Sequence, residues 1–111
     1  SMVDIEAAWA REDFDFVREN LRRHAEETDS SLVLFRYART LVEGRGGPVD
    51  IPQAAALLER AVAEGHTGAV ILLARILLTD SRDDGPAADP ERAAALLMQA
   101  AAASEPEAQL C

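Results

Sequence analysis

The chain has 111 residues, 49% of them apolar, which is enough for one domain with a single modest core. Its net charge of −9, from 20 acidic and 11 basic side chains, argues against nucleic acid or an anionic membrane surface as partner, since both call for concentrated positive charge. No stretch approaches the roughly 20 apolar residues of a membrane span, and alanine and leucine dominate while aromatic residues, glycine and proline are few, a composition that favours helix.

Asp4 to about Ala10 carries Ile5, Ala8 and Trp9 at helical spacing. Asp13 can cap a second helix, whose Phe14, Val17, Leu21 and Ala25 share one face; Thr28-Asp29-Ser30 breaks it. A third helix is predicted from Ser31 to about Glu43, stopping at Gly44, with Arg45-Gly46-Gly47-Pro48 as loop. Asp50 caps a fourth, with Pro52 in the first turn, where proline is tolerated, and Gly65 as the left-handed stop after Glu64. Thr67 opens a fifth helix through Leu78. A polar loop from Thr79 to Ala88 follows, Asp89-Pro90 repeats the aspartate-proline start, and the sixth helix runs to about Ala103.

Self-similarity organises these elements. A shift of 39 places Asp50 on Asp89, Ala54 on Ala93, Leu57-Leu58 on Leu96-Leu97 and Ala61 on Ala100. A shift of 36 places Ala38-Arg39 on Ala74-Arg75 and Leu41 on Leu77. The difference of three falls in the loop inside each helix pair, where insertions are tolerated. The small residues Ala38, Ala54, Ala61, Ala74, Ala93 and Ala100 would let paired helices approach closely, with Leu41, Leu57, Leu77 and Leu96 filling the layer between pairs.

The stretch Tyr37-Ala38-x-x-Leu41-x-x-Gly44, followed by Asp50-x-x-x-Ala54-x-x-Leu57-x-x-x-Ala61-x-x-x-Gly65-His66-x-x-Ala69, resembles the Sel-1-like repeat, a relative of the tetratricopeptide repeat. The second copy keeps Leu73-Ala74-x-x-Leu77, Asp89-x-x-x-Ala93 and Leu96-x-x-x-Ala100. It lacks a glycine after Leu77, and Ala38 and Ala74 stand where the family usually has glycine. The resemblance implies an all-α fold of about six helices, tandem antiparallel pairs stacked as a short solenoid. Residues 1–29 would be N-terminal helices and a degenerate unit, 30–66 repeat one, 67–105 repeat two, and 106–111 the start of a further helix or a truncated end.

Catalytic chemistry finds little to work with. His66 follows Gly65 at a helix end, and His24 lies beside Arg22 and Arg23 as a surface residue. Neither joins a serine or cysteine nucleophile, and the single cysteine, Cys111, can form no internal disulfide. Gly44-Arg45-Gly46-Gly47 lacks the lysine and the preceding strand of a phosphate loop. The acidic loop from Asp80 to Gly85 lacks the alternation and closing glutamate of a calcium loop, so it is read as solvated. No metal or cofactor is expected, and the chain is read as no enzyme.

Surfaces remain. The first helix of each pair would line the concave side, where Arg36, Arg39, Thr40 and Glu43 are the polar candidates. Arg39 and Arg75, equivalent under the repeat, should point the same way; arginine's planar fork suits carboxylates and is frequent at interface hot spots. The helix from Thr67 is apolar almost all round, so something must cover it, with Ile71, Leu72 and Leu78 the residues concerned. Trp9, Phe14 and Phe16 of the same chain would serve equally well as cover.

The resemblance thus implies an adaptor binding a protein or peptide, since such repeats generally act as interaction platforms, in bacteria also in secretion pathways and toxin neutralisation. The absence of lysine and the wealth of alanine and arginine associate with a GC-rich bacterial genome. A basic protein is the electrostatic complement of the whole chain, acidity speeding encounter more than tightening binding. A homo-oligomerisation module and an accessory domain of an enzyme complex are the alternatives, the chain being either monomer or homodimer. The expected compartment is the cytoplasm, or the periplasm had a leader been removed before Ser1-Met2, which look like a tag remnant.

Overall fold

A computed structural model describes residues 1–79 and 84–104. Among these residues the chain is all-α, with six helices and no strand: α1 (Met2–Ala10), α2 (Phe14–Glu27), α3 (Ser31–Glu43), α4 (Ile51–Ala63), α5 (Thr67–Leu77) and α6 (Pro90–Ala103). Each begins where a side chain can take up an otherwise unpaired N–H. Asp13, Ser30, Asp50 and Asp89 accept from Phe16, Val33, Gln53 and Arg92, as capping chemistry requires. Ser1 does the same for Asp4, so α1 starts two residues earlier than its apolar spacing suggested.

The helix ends follow a shared logic. Gly44 holds φ at 69°, and the Arg45 N–H reaches back to the Thr40 carbonyl, closing α3 in a left-handed turn. Gly65 does this for α4 at φ 79°. The Asp50 N–H then donates to the Leu41 carbonyl at 2.9 Å, and the Asp89 N–H to the Leu77 carbonyl at 2.8 Å. These two bonds are equivalent under the two sequence shifts. Both helix pairs therefore close with the same backbone bond, although the second connection is three residues longer.

Consecutive helices pack against each other along the whole chain. The odd-numbered helices share one side: Glu6 of α1 pairs with Arg36 of α3, and Phe35 of α3 stacks on His66 at the start of α5. On the other side Arg92 of α6 makes a two-pronged ion pair with Glu59 of α4. The helix pairs in extensive contact each join an odd-numbered helix to an even-numbered one, so the two sets face each other across one buried core. Between them lie the alanines and leucines that the repeat singled out; Ala38, Ala54, Ala61, Ala74 and Ala93 are wholly buried, and Leu41, Leu57, Leu77 and Leu96 almost so. The boundary assigned at residue 106, Cys111 and most of the acidic loop lie outside the described residues.

Between α3 and α4 the chain passes close over α2. A Cβ on Gly46, at φ 74°, would lie 2.2 Å from the Phe14 carbonyl oxygen. Gly46→Ala should therefore lower stability by at least about 2 kcal/mol in urea unfolding, through backbone strain and clash together. Unchanged stability would show that the loop can lift away from α2.

The Arg92 guanidinium holds the Glu59 carboxyl below its ordinary range, mainly through the hydrogen bond, with partial burial opposing. A carboxylate whose pKa is lowered on folding contributes stability above its unfolded value, lost as pH falls through the folded one. Both side chains are nearly half exposed, so solvent screening limits the effect to at most about 1 kcal/mol. Melting curves taken from pH 6 down to pH 3 should fall more steeply for the parent than for Arg92→Gln. Parallel curves would mean the pair adds nothing to stability.

Candidate functional site

The third helix exposes a row of residues to the side shared by α1 and α5, and the structure separates the candidates along it. Arg36 turns toward α1, where its guanidinium meets Glu6 at 3.2 Å. Thr40 was expected on the open face and is instead fully buried (0% exposed). Its hydroxyl donates to the Tyr37 carbonyl at 2.6 Å, the local bond that lets a threonine sit in a core, and it offers nothing to a partner.

Arg39 and Glu43, one turn apart, reach the space between α3 and α5. There they join Phe35 and Val42 from α3 and Gly68, Ile71, Leu72 and Arg75 from α5 around a groove of about 310 Å³. A second hollow of similar volume adjoins it, sharing Val42, Leu72 and Arg75 and extending to Ile51, Ile76, Leu78 and Thr79. Arg39 and Arg75, which the repeat places in register, thus stand on opposite walls of one groove. Leu72 forms part of its floor; it is 8% exposed, so it belongs to the core as much as to the surface. Ile71 and Leu78, at 43% and 55% exposed, form the rim.

The N-terminal aromatic residues do not seal this rim. Trp9 and Phe14 pack edge to face on each other, with centroids 5.6 Å apart, and Phe16 lies under Arg11. What Trp9 does cover is a cation. The Arg39 guanidinium lies 5.3 Å from the Trp9 ring centre and 5.9 Å from that of Phe35, and Arg45 stacks on Phe14 at 4.6 Å. Glu43 bridges the two arginines, 2.8 Å from Arg45 and 3.6 Å from Arg39. Arg39 is therefore held by two aromatic faces, which cost a guanidinium little hydration and leave its N–H edge available.

His66 plays a structural part. Its Nδ1 accepts from the Ala69 N–H at 3.0 Å, capping α5, while its ring lies on Phe35. The cap fixes where α5 starts and so where Ile71 and Arg75 stand. Residue periodicity gave no hint of it, because histidine is a rare cap; the signal available was its position two residues before a glycine-alanine helix start. Among the described residues no three histidine, cysteine, aspartate or glutamate side chains come together in a way that could hold a metal ion. No helix among them is long and apolar enough to cross a membrane.

No family model, curated protein or solved structure matches this chain.

The aromatic support of Arg39 can be measured. In a double-mutant cycle of Trp9→Leu and Arg39→Gln, the coupling energy should be about 0.5 kcal/mol, the value for a half-exposed cation on a ring. A coupling of zero would mean that the tryptophan does not position the guanidinium.

Proposed function

We propose that this chain is a non-catalytic protein-binding module that receives a partner segment in the groove between α3 and α5. The observation that carries the reading is the rim of α5. Ile71 and Leu78 stay substantially exposed beside a groove whose floor is apolar and whose walls carry two equivalent arginines. Contiguous apolar surface with a polar border is how a folded domain marks an interaction site, because single exposed aliphatic residues would not gather around a hollow. Depressions of this size accept a few side chains of a peptide or helix.

The resemblance of the helix pairs to Sel-1-like repeats supports the same class of function, since proteins built from such pairs serve as interaction platforms. An adaptor in a bacterial secretion pathway, or a small protein neutralising a toxin, would be a particular case. The histidine nearest the groove, His66, is engaged in capping α5, which supports a role without catalysis. A second reading is favoured by the same exposed rim: two copies of the chain could seal Ile71 and Leu78 against each other, making a homo-oligomerisation module.

A photo-reactive benzophenone side chain at position 71, with position 26 on α2 as control, tests the proposal in native lysate. We expect adducts to a different protein from position 71 and none from position 26. Adducts to a second copy alone, with a dimer seen by light scattering, would replace the adaptor by self-assembly. Equal labelling from both positions, or none from position 71, would remove the groove from consideration.

A further inference from the structure

Arginine is the only basic residue type in this chain apart from two histidines, and acids outnumber it by 20 to 11. In such a chain nearly every guanidinium should find an acceptor, and nearly every one does. Among the described residues, arginines 11, 22, 36, 39, 45, 60 and 92 pair with carboxylates, Arg18 with backbone carbonyls and Arg23 with Asn20. The exception is Arg75, whose guanidinium has no acceptor among those residues. It stands on the wall shared by both hollows, with Ile71 one turn before it and Leu78 one turn after. A cation between two exposed aliphatic side chains, at spacings of four and three, makes one continuous stripe along α5.

The opposite wall reinforces the sign. Arg39 is fixed between Trp9 and Phe35, and the one carboxylate in the lining, Glu43, is shared between Arg39 and the nearer Arg45. The groove is thus locally positive in a chain of net charge −9. Whole-chain charge governs how partners approach, whereas the contact itself answers to the charges lining it, because solvent screens the rest within about 8 Å at physiological salt.

We propose that the groove is selective for a partner segment in which an aspartate or glutamate side chain is flanked by aliphatic residues. Its carboxylate sits on Arg75 with Arg39 facing it, and its aliphatic side chains lie on Ile71, Leu72 and Leu78. This inference rests on the protein-binding reading above and replaces, at the contact, the basic partner suggested by the total charge. A basic segment would leave Arg75 facing like charge, and a purely apolar one would bury its guanidinium without an acceptor, which costs more than the contact returns.

The test uses the full chain against a displayed library of random 12-residue peptides, followed by binding of the strongest synthetic peptide. We expect selected peptides to carry an acidic residue among leucines, isoleucines or valines. Affinity should fall tenfold or more with Arg75→Gln, or when the peptide's acid is replaced by its amide. It should also weaken with added salt, and it should be unchanged by Arg23→Gln on α2. Circular dichroism of each variant confirms that helicity is kept. If the selected peptides lose binding with Ile71→Ser but are basic, or are indifferent to Arg75→Gln, the carboxylate assignment fails while the groove remains the binding site. Peptides indifferent to both substitutions, or no selected peptide, would overturn the groove reading itself.

Discussion

The geometry of the groove depends on a cation that never touches it. Arg18 of α2 reaches across to the end of α3 and donates to the carbonyls of Thr40 at 2.8 Å, Arg45 at 2.9 Å, Gly47 at 3.2 Å and Pro48 at 2.9 Å. A helix ends with carbonyls that have no partner inside it, and a partly buried end must find donors elsewhere. Here one planar guanidinium donates to one carbonyl of the last turn of α3 and to three of the loop that follows it, and its positive charge also suits the negative end of the helix dipole. The Thr40 carbonyl takes this bond in addition to those from Gly44 and Arg45, so it sits at the centre of the closure. Lysine carries all three of its N–H groups on one nitrogen and has no second donor to match the Nε–H bond to the Arg45 carbonyl. With the end of α3 and its loop fixed on α2, the wall formed by Phe35, Arg39 and Glu43 is placed before any partner arrives.

A second constraint places the other wall. His66 caps α5 and lies on Phe35, while the wholly buried Ala69 and Ala74 let α5 approach its neighbours closely. Gly68 faces Phe35 so tightly that a Cβ there would stand 3.0 Å from the ring. The distance between the walls therefore follows from a few small residues and one aromatic ring, an arrangement with little freedom to close. A hollow held open by packed secondary structure binds without an ordering cost of its own, which is the physical meaning of preorganisation.

Much of the fold was legible because it is periodic or chemically local. The aspartate caps, the glycine stops and the register of buried alanines and leucines are each set within a few residues of chain. Arg39 and Arg75 stand at positions related by the sequence shift on α3 and α5, and the structure places both in the lining of one groove, on opposite walls. What the sequence hid lies between residues roughly 20 to 30 apart. Nothing in its own segment marks Arg18 as the partner of Thr40, or Glu6 as the partner of Arg36. Thr40 shows the cost: its polarity suggested an open position, yet on α3 it falls on the inner face with Tyr37 and Leu41, and a backbone bond made at short range satisfies its hydroxyl. The N-terminal aromatic residues were legible as packing residues but not as supports for cations, because their choice between the α5 rim and the arginines depends on where α1 lands.

The fifth helix explains why an apolar rim persists at all. Its inner residues Val70, Leu73 and Leu77 are committed to the core and cannot be shortened without opening cavities, each on the order of 1–4 kcal/mol, while a larger residue than Ala74 would overpack. Ile71, Arg75 and Leu78 carry no such duty. Polar residues at positions 71 and 78 would leave the fold intact and keep the surface more soluble, so stability alone does not account for the aliphatic pair. At 43% and 55% exposed, they forgo about half of the roughly 1.5–3 kcal/mol that complete burial of such a side chain returns. That energy is available only to something that covers them. Because the arginine between them has no acceptor among the described residues, in a chain crowded with acids, a covering surface that brings a carboxylate as well as aliphatic side chains satisfies both demands at once. Charge and hydrophobicity on this one stripe thus specify the same occupant.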